Sequence, residues 1–182
     1  MQWTIPGTTL TGKRTDADRT AELFQTMFLA GGMTLSQVVT ITGLEAYTVQ
    51  NWVKRGFLPS PVNKRYNMEQ LCRLININIL KGTMPLEQII KLMAYLNGDL
   101  ADERDDLVDD TMLFFLFVKL AARARYIGGT ETWDDALIHA TEDYKEPVPG
   151  AREKLIKVLK VMLTVWCANA LKAQAETMIA EL

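Results

Sequence analysis

Nine side chains in the second quarter of the chain have the clearest potential chemistry: Tyr47, Thr48, Gln50, Asn51, Lys54 and Arg55, then Lys64, Arg65 and Tyr66. Asparagine and glutamine amides can pair bidentately with adenine in the major groove, while lysine and arginine serve phosphate or guanine. A helix over about 45–55 puts the first six on its outer, polar side. Lys64 and Arg65 fall on a short exposed connection, where cations near phosphate add affinity at little cost. The Tyr66 hydroxyl suits either a phosphate contact or a role in packing that connection down.

No other side chains converge on a reaction. His139 is the single histidine, with no cysteine near it, and Glu142 beside it does not make a triad. The chain has no phosphate-cradling glycine loop, CxxC pair or nucleophile elbow. The acidic run from Asp99 to Asp110 lacks the glycine and spacing of a calcium loop and reads as a solvated linker leading into a helix. Cys72 and Cys167 sit in apolar helical patterns, as packed thiols do. The expectation is a protein that is not an enzyme and carries no cofactor or metal.

Charge is unevenly spread. Segment 33–97 has seven Lys/Arg against three Asp/Glu, and segment 98–182 has ten against sixteen. A basic middle beside an acidic remainder fits a nucleic-acid module joined to a non-binding one. No apolar run approaches the ~18 residues that cross a bilayer. The opening Met1-Gln2-Trp3-Thr4-Ile5-Pro6 has no basic or apolar region of the signal-peptide kind. A cytoplasmic location without membrane attachment is therefore expected.

The elements that must position these residues follow from period and punctuation. Residues 1–15 have no period and read as loosely ordered. A helix capped by Asp16 or Asp18 is expected to run to about Ala30, ended by Gly31-Gly32. Thr34 caps a helix near 35–41, Gly43 turns the chain, and the 45–55 helix ends at Gly56. Val38, Val39, Leu44, Val49, Trp52 and Phe57 supply an inner apolar face, with Trp52 expected to pack rather than stack on a base. A possible two-stranded ribbon follows at about 60–67. Further helices are expected over Met68–Leu80, from Pro85 to about Leu96, and over about 109–127, 132–143 and 151–181. The run Phe114-Phe115-Leu116-Phe117 points all round its helix, which describes a buried central helix more simply than an effector pocket. On the last helix Leu155, Met162 and Asn169 share one heptad position, and a lone Asn in a seam can fix pairing.

The stretch Leu35-Ser36-Gln37-Val38-Val39, Gly43-Leu44 and Thr48-Val49-Gln50-Asn51-Trp52-Val53-Lys54-Arg55-Gly56-Phe57-Leu58 resembles the MerR family. The likeness continues through Tyr66, Met68-Glu69-Gln70-Leu71 and Pro85-Leu86-Glu87-Gln88-Ile89. It implies a winged helix-turn-helix whose second helix enters the major groove and whose wing contacts backbone. Three departures stand out: Gln50 where that family usually has Arg, Asn63-Lys64 for its Tyr-Arg pair, and a shortened wing. Asn51-Trp52-Val53-Lys54-Arg55-Gly56, Pro61, Lys64-Arg65-Tyr66, Leu80-Lys81, Leu86 and Ile89, with the early Trp3-Thr4-Ile5-Pro6, more closely resemble an uncharacterised bacterial family, domain of unknown function 1836. That likeness implies a regulator-like fold and supplies no activity.

The combined expectation is an all-α chain. A MerR-like winged helix-turn-helix domain occupies 1–98, with its core at 33–97, and a helical bundle domain with a dimerising role occupies 99–182. The expected function is transcriptional regulation through double-stranded DNA, as a homodimer, with any small-molecule effector unknown. The alternative is a protein–protein interaction module that keeps this fold without binding DNA. Gln50 and the short wing favour the alternative, and the basic middle segment favours DNA.

Overall fold

The computed structural model describes residues 2–98, 106–124 and 132–182. It is mainly helical, with a single small sheet among those residues. Strand β1 (Gln2–Thr4) pairs antiparallel with β2 (Thr11–Lys13). The helices are α1 (Thr20–Met27), α2 (Leu35–Thr42), α3 (Ala46–Lys54), α4 (Met68–Leu80), α5 (Leu86–Asn97), α6 (Asp110–Arg123), α7 (Trp133–Ala140) and α8 (Ala151–Ala180). None of the described helices is long and apolar enough to cross a membrane.

The amino-terminal hairpin corrects the expectation of a loosely ordered start. Its strands are three residues long, too short for an alternating pattern to register in the sequence. The order comes from contacts made at a distance. The Thr9 amide donates to the Ile41 carbonyl at 2.7 Å, and the Asn78 amide group donates to the Gly7 carbonyl at 2.8 Å. Gly7 has φ +70°, and a Cβ there would lie 2.8 Å from Ile75, so only glycine fits the turn against α4.

The helix expected from Asp16 or Asp18 to Ala30 is also divided. Arg14–Arg19 forms a 3-10 turn in which Asp16 leaves helical geometry, and α1 ends at Met27. Neither the 3-10 turn nor α1 has a side-chain cap, so the acidic residues do not set its start. The cap at Thr34 and the turn at Gly43 stand where expected, and α4 has a further cap at Asn67. Reciprocal boxes of Thr34 with Gln37 and Asn67 with Gln70 open α2 and α4, and Gly43, at φ +67°, closes α2. Pro85 is the N-cap of α5 and so stands one residue outside the helix.

Helix α4 is the centre of the molecule. Every residue from Gln70 to Ile77 is buried. It packs on α2 and α5 of the first half and on α6 and α8 of the second. The apolar core runs across Asn97–Gly98, joining Val38, Trp52 and Leu74 with Phe114, Phe117 and Leu159. The Asn97 side chain binds the Val108 backbone on both sides, donating to its carbonyl at 2.6 Å and accepting from its amide at 3.2 Å.

An ion pair crosses the same boundary. Arg73 on α4 and Asp110, the first residue of α6, are both 4% exposed. The Arg73 Nε donates to Asp110 Oδ2 at 2.5 Å, and Asp106 stands 3.9 Å from the same guanidinium. Asn76 donates to the Asp110 carboxylate and to its backbone carbonyl, each at 3.1 Å. Burial holds the Asp110 carboxyl above its ordinary value, and Arg73 and Asn76 offset only part of that rise. Removing one member of such a pair strands the other's charge in the core. Asp110→Ala is expected to cost roughly 3–5 kcal/mol in urea unfolding. A change within experimental error would show that Arg73 reaches solvent or relies on Asp106 alone.

Candidate nucleic-acid interface

The surface that could meet a nucleic acid is built on α3. Val49 is fully buried and Trp52 is 4% exposed, so both anchor the inner side with Val38 and Leu44. Val39 and Phe57, expected on that inner face, are half-buried at its margin. Residues spaced three and four apart share one face of a helix. With Val49 and Trp52 turned inward, Tyr47, Gln50, Asn51 and Lys54 line the opposite side. All four are exposed, and Tyr47 retains 71% of its surface. Thr48 lies at the flank, half-buried.

The four expected cations separate into two kinds. No described side-chain partner holds Lys54 or Lys64, and both are exposed. Arg55 lies over the Phe57 ring at 4.5 Å and pairs with Glu87 of α5 at 3.8 Å. Arg65 donates from its guanidinium to the Gly32 carbonyl at 2.7 Å. Both arginines are therefore partly engaged by the protein, which spacing in sequence could not reveal.

The 60–67 connection is smaller than a two-stranded ribbon. It holds one isolated bridge, Val62 to Arg65, and a second bridge joins Tyr66 to Met33. Tyr66 corrects the phosphate-contact alternative. It is 3% exposed, and burial pushes its phenol up. Its side chain packs in the core, so the packing role is the one observed.

The remaining candidate chemistry resolves into structure. Phe114 and Phe117 are fully buried; Phe24, Phe114 and Phe115 form a ring cluster with centroids 5.2–5.7 Å apart. His139 is exposed and lies 3.1 Å from Glu142. The described residues contain no group of three metal-ligating side chains. Asn169 does not sit in an open seam. It donates to the Ile79 carbonyl at 2.9 Å, and its amide lies where a Cβ on Gly82 would be, at 2.4 Å. It therefore ties α8 to the end of α4.

The model of a family described as Domain of unknown function (DUF1836) matches residues 22–112, half of the chain. The chain belongs to that family. No curated protein and no solved structure matches it. The DUF1836 region begins in α1 and ends inside α6, two residues past Asp110. It thus contains the α3 face, the 62–65 hairpin and both ends of the buried ion pair.

Within this DUF1836 chain, Trp52 is the link between the exposed face and the core. Trp52→Ala is expected to destabilise the fold by about 3–5 kcal/mol, as truncation of a buried aromatic does. Urea or thermal unfolding measures it. A loss below about 1 kcal/mol would mean that the surrounding core does not depend on this ring.

Proposed function

We propose that the protein is a DNA-binding transcriptional regulator of MerR-like type, with α3 as the recognition helix in the major groove. The observation that carries this reading is the sidedness of α3. Val49 and Trp52 are buried, while Tyr47, Gln50, Asn51 and Lys54 stand exposed on the other side. A helix anchored by one face and polar with amides on the other has the chemistry to read base edges. Lys54 and Lys64 supply two cations for phosphate.

The proposal includes a homodimer. From Ala170 to Ala180 every residue of α8 is exposed, Leu171 and Ile179 at 68% and Met178 at 62%. A second copy covering that stretch would give an assembly with two α3 helices, one from each chain. The second reading is a protein-partner module on the same α3 face. It is favoured by Arg55 and Arg65, which already have partners within the chain.

Selection from random duplexes, followed by titration at several salt concentrations, decides between the two readings. A dimer is expected to select a pseudo-palindrome with half-sites about one helical turn, or a multiple, apart. Each lysine–phosphate contact contributes ~0.9 to the log–log salt slope. Lys54→Ala should therefore weaken binding to all sequences and reduce the slope. Gln50→Ala or Asn51→Ala should relax preference at particular base pairs by ~1–3 kcal/mol. No enriched sequence and no binding at low salt would replace the DNA reading with the protein-partner one.

A further inference from the structure

Lys64 and Arg65 are adjacent cations that look interchangeable in the sequence. The structure gives them different tasks. Val62 and Arg65 close a hairpin through the Arg65 amide, which donates to the Val62 carbonyl at 2.9 Å. The two residues between them both have positive φ, Asn63 at 50° and Lys64 at 61°. That is the pattern of a tight type I′ turn, which asparagine and glycine enter readily and lysine does not. Among the described residues, no other non-glycine residue has a positive φ.

A left-handed lysine persists only where its surroundings hold it there. Three contacts do so from behind the tip. Met33 and Tyr66 exchange two backbone hydrogen bonds, each 2.8 Å. Gly32 lies so close that a Cβ would come 2.7 Å from the Tyr66 carbonyl and 3.0 Å from the Arg65 Cβ. The Arg65 guanidinium closes the remaining side on the Gly32 carbonyl, a charge-assisted bond of 2.7 Å.

We infer that Arg65 is a positioning residue: it clamps the base of the hairpin to the Gly32 carbonyl, so that Lys64 alone is presented at the tip as the wing's contact to a phosphate backbone. The clamp stands on the chain's own geometry, and the contact assigned to Lys64 rests on the DNA reading above. Under this assignment Arg65 acts through the conformation of its neighbour and adds no ion release of its own.

Two measurements on the full chain test it. In the free protein, hydrogen exchange of the Arg65 amide reports opening of the hairpin. Arg65→Ala is expected to speed that exchange about fivefold, the population change that one hydrogen bond of ordinary net strength controls. Lys64→Gly is expected not to speed it, because glycine accepts a positive φ without strain. Unchanged exchange in Arg65→Ala overturns the clamp. In duplex titrations, Lys64→Gly is expected to lower the log–log salt slope by ~0.9. Arg65→Ala is expected to weaken binding by a similar factor at every salt concentration and to leave the slope unchanged. A slope loss of ~0.9 in Arg65→Ala makes it a phosphate contact and overturns the assignment. If the unmodified chain binds no duplex even at low salt, the DNA reading fails, and the exchange measurement alone then decides the clamp.

Discussion

Arg73 carries a full charge into the stretch of α4 that is buried without a break from Gln70 to Ile77, and the surrounding structure has to answer it. A guanidinium 4% exposed is tolerable only with a carboxylate and further hydrogen bonds arranged around it. Asp110 supplies the carboxylate, Asn76 binds that carboxylate in turn, and Asp106 adds a second negative charge nearby. Because Asp110 is also the first residue of α6, just inside the Asp109 cap, satisfying Arg73 ties the start of α6 to α4. Register between α4 and α6 is thereby set by a polar contact, while apolar burial supplies the adhesion.

The same helix places the candidate surface. Asn78 on α4 donates to the carbonyls of Gly7 and Thr42, each at 2.8 Å, which pins the amino-terminal turn and the end of α2 together. Gln70 donates to the carbonyls of Pro59 and Ser60 at 3.1 and 3.2 Å, and so holds the chain leaving α3. Loop carbonyls half-hidden from water need such donors. Polar side chains on a largely buried helix thus orient both ends of the α2–α3 pair. The face formed by Tyr47, Gln50, Asn51 and Lys54 is consequently carried on a rigid support, which base-edge recognition requires.

Electrostatics around that face depend more on partners than on the count of basic residues. Arg55 is drawn to Phe57 and Glu87, and Arg65 to the Gly32 carbonyl, whereas Lys54 and Lys64 are left to the solvent. Guanidinium groups suit such internal contacts because they are planar and present several donors at once. A flexible ammonium is better suited to a phosphate whose position varies. The division follows from side-chain chemistry, but only the fold shows which arginine finds which partner.

The sequence by itself determined the helical class, the bounds of α4, the cap Thr34 and the turn at Gly43. These rest on interactions within a few residues, so type and spacing suffice. It also placed Trp52 inside and Gln50, Asn51 and Lys54 outside, since helical period decides which side faces the core. The tertiary structure decided the rest. The docking of the β1–β2 turn on α2 and α4, the burial of Tyr66 and the tie between Asn169 and Ile79 depend on contacts 30 or more residues distant in the chain, and no local pattern encodes them. The pairing of Arg73 with Asp110 is of the same kind. Asp110 reads in sequence as one more acid in a solvated run, and it becomes the central counter-ion only because α6 packs against α4.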